Sequence, residues 1–131
     1  MTANLNISIL VVDDSPTTIR ITRDTLRNLG YENVDTANGC NSALEKMRIK
    51  TYGLVISDWN MEPMTGLDLL RYVRTGLDQI PFILMAAEAH VEDVIVAKKA
   101  GVNGFIVKPF SAATMKAKID AVLADSVMVE V

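Results

Sequence analysis

One cysteine, Cys40, is too few for an internal disulfide, so it is expected to be a small, partly buried side chain, and a reducing cytoplasm is the most economical compartment. No apolar stretch approaches the roughly 20 residues needed to cross a bilayer. The first residues, 1–6, have neither the basic segment nor the apolar run of a signal peptide. Positive charge is not in surplus either. Thirteen Lys and Arg against 16 Asp and Glu give a net charge of −3, which leaves no electrostatic footprint for nucleic acid or an anionic membrane. Repeats, low-complexity segments and linkers are absent.

What the chain does have is apolar content. Half of its 131 residues are hydrophobic and 22 % are charged, which argues for a well-filled interior and against disorder. A chain of this length forms one domain, 1–131, that buries roughly 65 to 70 % of the surface its unfolded form exposes. The core is expected over about 7–125, with a tail after Asp125 too short to be an effector domain.

The apolar residues fall into alternating patterns. Ile7 to Val12 reads as a strand buried on both faces that ends on Asp13-Asp14. Ser15-Pro16 then opens a helix with a stripe of Ile19, Leu26 and Leu29, stopped at Gly30. Val34 to Ala37 is a weak strand, Asn38-Gly39 breaks it, and Ala43, Leu44 and Met47 mark a second helix ending near Lys50. Leu54 to Ser57 is a third strand, delivering Asp58 where it stops. A loop containing Pro63 leads to a helix with Leu67, Leu70 and Val73, closed by Gly76. Phe82 to Met85 is a fourth strand leaving through Ala86-Ala87, and Val91, Val94 and Ile95 indicate a helix ending at Gly101. Gly104 to Val107 is the fifth strand, stopped by Lys108-Pro109. A last helix from about Ser111 carries Met115, Ile119, Val122 and Leu123.

Strands alternating with helices predict an α/β fold, a five-stranded parallel sheet with helices on both faces, because parallel strands need crossover connections. Ligand sites in such sheets lie beyond the carboxyl ends of the strands. Those ends read Asp13-Asp14, Asp58, Ala86-Ala87 and Lys108. Three converging carboxylates raise one another's pKa unless a divalent cation or a lysine compensates them. Oxygen-only ligands select a hard ion such as Mg2+. A nucleophilic carboxylate beside such an ion is suited to forming an acyl phosphate, since phosphoryl transfer asks mainly for positioning and positive charge. Asp58 is therefore the expected acceptor, Asp13-Asp14 the metal side, and Lys108 the fixed cation.

The stretches Val11-Val12-Asp13-Asp14-Ser15, Val55-Ile56-Ser57-Asp58-Trp59-Asn60-Met61, Gly66-Leu67-Asp68-Leu69-Leu70, Ala87-Glu88-Ala89 and Gly104-Phe105-Ile106-Val107-Lys108-Pro109-Phe110 resemble a response-regulator receiver domain, most closely of the stand-alone chemotaxis type. The resemblance implies the flavodoxin-like strand order 2-1-3-4-5. It implies a two-component phosphoprotein rather than an enzyme, with self-catalysed phosphorylation and dephosphorylation. A histidine kinase or phosphotransfer protein would be the donor. Signalling would run by protein contact, with the flagellar motor or another kinase among the candidate targets, and the face of the fourth helix, fifth strand and fifth helix is where such domains bind partners. Asp14, Asp58 and the backbone carbonyl of Asn60 would ligate Mg2+ directly and Asp13 through water. Lys108 would pair with the acceptor, across a cis bond to Pro109, and the side chains of Asn60 and Glu88 would control the water of dephosphorylation.

Ala86 and the Glu62-Pro63 order depart from the family. Ala86 stands where Ser or Thr is expected, so the hydroxyl that links the phosphoryl group to the adjoining loop is missing and switch coupling is expected to be weakened. Phe105 holds the switch-aromatic position, usually Tyr or Phe, and without a hydroxyl it can report only by packing, while Glu62-Pro63 reverses the usual order. His90 is expected as an exposed loop residue rather than a phosphoryl donor, and Trp59 as a partly exposed neighbour of the site. A haloacid-dehalogenase-type phosphatase needs an acid two residues after the nucleophile, where Asn60 stands. A flavin carrier needs a Ser/Thr-rich phosphate loop where Asp13-Asp14 would repel the phosphate. The remaining alternative is a phosphorylation-independent interaction module on the same fold.

Overall fold

The computed structural model describes residues 5–76 and 79–128. In chain order the elements are β1 (Ile9–Val12), α1 (Pro16–Asn28), β2 (Val34–Ala37), α2 (Cys40–Ile49), β3 (Leu54–Asp58), α3 (Gly66–Thr75), β4 (Phe82–Ala86), α4 (Val91–Ala100), β5 (Gly104–Val107) and α5 (Ala112–Met128). All strands pair in parallel, in the order β2-β1-β3-β4-β5. Residues 1–4, and the last residues of the expected tail beyond Met128, lie outside the described residues, and α5 runs past the expected boundary at Asp125.

Alternation along the buried strands divides the interior into two layers. Leu10, Val12, Val55, Phe82 and Leu84 pack with Cys40 and Ala43 of α2, Leu67, Leu70 and Val73 of α3, and Ala97 of α4. Ile9, Val11, Ile56, Ile83 and Met85 face the opposite way, toward Leu26 of α1 and Met115, Ile119 and Val122 of α5. Cys40 is buried, its thiol within 3.4 Å of the Met64 carbonyl.

The helix termini follow local chemistry. Ser15 caps α1 by accepting the Thr18 N–H at 3.3 Å, Pro16 fills the first turn, and Gly30, at φ 104°, takes the left-handed turn that ends it. Thr65 caps α3 in a reciprocal box with Asp68: the Asp68 N–H donates to Thr65 at 3.1 Å, and the Thr65 N–H donates to the Asp68 carboxylate at 3.0 Å.

Two expected stripes require correction. In α1 the fully buried residues are Thr22 and Leu26, while Ile19 and Leu29 are only half-buried. In α4 the larger apolar residues Val91, Ile95 and Val96 do not face the core. Val91 is 71 % exposed and Ile95 48 %, Val94 is half-buried, and the one buried residue is Ala97. The end of α4 is held by α3 instead. The Arg74 guanidinium donates to the Gly101 carbonyl at 2.9 Å and to the Asn103 side-chain oxygen at 3.0 Å, which also accepts the Phe82 N–H at 2.8 Å.

At the β2 edge, the Tyr52 hydroxyl donates to Asp35 at 2.7 Å and Lys50 donates to the same oxygen at 3.0 Å. Burial, and then the Asp35 carboxylate, push the Tyr52 phenol up to about 12 from its ordinary 10.0. Because the folded pKa is the higher one, this contribution is complete below pH about 10 and is lost between about 10 and 12, where the unfolded chain releases its proton first. Tyr52→Phe is expected to lower stability by about 1 kcal/mol at neutral pH. It should also flatten the alkaline decline, as measured by urea denaturation across that pH range.

Candidate functional site: an acidic crevice at the ends of the strands

From β1 the chain crosses to β2 on one side, while β3 continues to β4 on the other, so the carboxyl ends of β1 and β3 flank a crevice at the switch point. The ladder pins the backbone there. The Asp13 N–H donates to the Ala37 carbonyl at 3.1 Å, the Trp59 N–H to Met85 at 2.8 Å, and the Lys108 N–H to Ala86 at 2.8 Å.

Carboxylate oxygens of Asp13, Asp14 and Asp58 lie within 4.8 Å of one another. Asp13 and Asp58 are buried, whereas Asp14 is exposed. Lys108 reaches in from the end of β5 and donates to Asp58 Oδ1 at 2.8 Å. Asp13 Oδ1 accepts the Ser15 N–H at 2.9 Å. Burial raises the Asp13 carboxyl above its ordinary range, and the charges of Asp58 and Asp14 add to that against the Ser15 N–H and Lys108. Asp13 Oδ2 is buried without a hydrogen-bond partner. An orphaned anionic oxygen, two further carboxylates and no nitrogen or sulfur ligand fit a hard divalent cation.

Beside the acids opens a cavity of about 290 Å³ lined by Trp59, Asn60, Ala86, Ala87, Glu88, His90 and Asp93. Asn60 and Glu88 both line this cavity. Glu88 also meets His90 Nε2 at 2.6 Å, a pairing two residues apart that the sequence reading passed over. Ala86 closes β4 with no hydroxyl, and the half-buried ring of Phe105 packs on Trp59 with centroids 6.1 Å apart. The Lys108–Pro109 bond is cis, as expected, and so is Glu62–Pro63. Glu62 is exposed and is not one of the three converging carboxylates.

Gly66 is a site residue that sequence reading left as part of a motif. A Cβ there would lie 2.1 Å from the Asp58 carbonyl oxygen, and the Gly66 N–H donates to the Trp59 carbonyl at 2.9 Å. Only glycine allows α3 to start against the end of β3. Its sequence signal is the Thr65-x-x-Asp68 box that starts the helix at this residue.

Comparison with known proteins bears on what this arrangement is for. A family profile described as a response regulator receiver domain matches residues 9–120. The chain is 44 % identical over 121 residues to chemotaxis protein CheY-3 of Vibrio cholerae, covering 91 % of this chain and 93 % of that protein. It is 42 % identical over 116 residues to chemotaxis protein CheY of Pseudomonas aeruginosa, covering 87 % and 94 %. Among solved structures, chemotaxis protein CheY4 of Vibrio cholerae superposes with a TM-score of 0.84 at 32 % identity, covering 89 % and 98 %. A CheY-like receiver domain protein of Methanospirillum hungatei superposes with a TM-score of 0.83 at 26 % identity, covering 92 % and 95 %.

Asp13→Asn is expected to raise the thermal midpoint of the metal-free protein, because it removes one of three mutually repelling charges. A magnesium salt at about ten times its Kd should stabilise the unaltered chain by ~1.4 kcal/mol, and the variant by less. Thermal denaturation with and without chelator measures both.

Proposed function

The chain belongs to the response-regulator receiver-domain family, and from that premise we propose that Asp58 accepts a phosphoryl group from a histidine kinase or phosphotransfer protein. One observation carries this reading: a buried carboxylate at the switch point, paired to Lys108 at 2.8 Å, with two more carboxylates within 4.8 Å. Receiver domains are signalling proteins and not enzymes in the ordinary sense. The reaction has an Asp58 carboxylate oxygen attack phosphorus while the phosphorus–nitrogen bond of the donor imidazole, protonated on its other ring nitrogen, breaks and the leaving nitrogen keeps the electron pair, so that an acyl phosphate is left on the chain and a neutral histidine on the donor.

Each residue has a definable task. Asp58 is aimed by the β3 ladder and backed by Gly66, so little reorganisation precedes attack. Lys108 is placed to stay with the charge as it moves from the carboxylate onto the phosphoryl oxygens. Asp14, Asp58 and the Asn60 carbonyl would hold Mg2+, with Asp13 acting through water at its unpartnered Oδ2. Bound Mg2+ supplies positive charge at the phosphoryl oxygens. Asn60 and Glu88, on the wall of the adjoining cavity, are placed to position the water that later hydrolyses the acyl phosphate.

Output is proposed to run by protein contact. Val91, Ile95 and Val96 on α4, with Val107 on β5, leave apolar side chains exposed on the face expected to meet partners. The curated relatives are named as chemotaxis proteins, so the flagellar motor and a kinase are the targets to try first. At the end of β4, Ala86 offers no hydrogen bond to the phosphoryl group. A bond to a charged group contributes roughly 1.5 to 3 kcal/mol, so its loss shifts a two-state population by about tenfold or more. A phosphorylation-independent interaction module is the second reading, favoured by that same alanine.

Adding beryllofluoride, which stands in for the phosphoryl group, together with Mg2+ should change the emission of Trp59, the only tryptophan. The change should vanish in Asp58→Asn and fall sharply in Lys108→Ala. An unchanged emission in the native chain, with no ligand bound by calorimetry, contradicts the acceptor role. Affinity for a captured target should respond to the mimic more strongly in Ala86→Thr than in the native chain, by about tenfold. Equal, mimic-independent affinity in both chains supports the constitutive module.

A further inference from the structure

Resting on Asp58 as the phosphoryl acceptor, we propose that Trp59 carries the state of Asp58 to Phe105, a coupling that bypasses the hydroxyl missing at position 86. Trp59 follows the acceptor directly, and its own N–H is tied to the Met85 carbonyl at 2.8 Å, so a shift at the end of β3 moves the indole against β4. The parallel register places the other partners. Phe82, Leu84 and Ala86 alternate onto one face, and Leu84 aligns with Phe105. Ala86 and Phe105 therefore point to the α4 side, where Trp59 also packs. Because β4 lies between β3 and β5, the contact of Trp59 with Phe105 spans the end of β4, where residue 86 is reduced to a methyl group.

The rings meet with centroids 6.1 Å apart and planes inclined at 57°, within the range of a favourable tilted aromatic pair. Both are half-buried, and Trp59 and Ala86 also line the cavity of about 290 Å³, which gives the indole room to move. A filler in a closed core would have neither that room nor a covalent bond to the acceptor. In this proposal the Phe105 ring is the element that changes position, and Trp59 is a positioning residue for it.

The test uses the full chain labelled with 4-fluorophenylalanine, whose three phenylalanines give three fluorine signals. The Phe105 signal is identified by its loss in Phe105→Leu. Saturation with beryllofluoride and Mg2+ should shift it in the native chain, and the fluoride signal of the bound mimic in the same spectrum reports occupancy of Asp58. In Trp59→Leu the shift should fall to about a third or less at equal occupancy, while Trp59→Phe should keep most of it. Adding Ala86→Thr to Trp59→Leu should bring the shift back. An undiminished shift in occupied Trp59→Leu overturns the proposal, as does no shift in an occupied native chain. If Trp59→Leu does not fold, a full loss in Trp59→Phe overturns it, since an aromatic ring is retained there. No bound fluoride signal in the native chain overturns the acceptor role and this coupling together.

Discussion

Three carboxylates held within 4.8 Å at the ends of adjacent strands repel one another, and the rest of the site is arranged around that repulsion. Two of them are buried, where water cannot screen the charge. Lys108 answers part of it by its contact with Asp58, and Ser15 answers part through its N–H to Asp13. The remainder shows in the raised pKa of Asp13 and in its unpartnered Oδ2. A cluster so poised favours whatever brings positive charge into the crevice.

The fold supplies the rigidity this demands. β1, β3 and β4 are covered on both faces, so the carboxylates stand on backbone that neither frays nor slips. The helices then divide the labour. α3 is locked against the Asp58 carbonyl by Gly66 and its capping box, while α4 meets the core through Ala97 and is tied at its far end by Arg74. With Val91 and Ile95 exposed, α4 is attached more lightly than α3.

Much of this was legible in the sequence because the signals were local. Apolar runs of strand length ending on Asp13, Asp58 and Lys108 locate the crevice without any coordinates, since a parallel sheet sends all carboxyl ends to one edge. The cis Lys108–Pro109 bond and the strand order followed from the family resemblance rather than from the residues alone. What escaped depended on packing between distant segments. Thr22 looks polar in sequence yet is fully buried in α1, and Val91 and Ile95 look like a core stripe yet face outward, because the docking of a helix rather than its composition decides which face is covered. The contact of Trp59 with Phe105 spans 46 positions and could not be read from spacing (105 − 59). The close approach of Gly66 to the Asp58 carbonyl is likewise a fact of tertiary geometry.

The central claim is that Asp58 takes a phosphoryl group with help from a divalent cation. Incubation with acetyl phosphate, followed by mass spectrometry of peptides kept cold at mild pH, tests it most directly. One phosphoryl group is expected on the peptide containing Asp58, dependent on Mg2+ and absent from Asp58→Asn. A phosphoryl group on another residue, or none on the native chain in the presence of Mg2+, contradicts it.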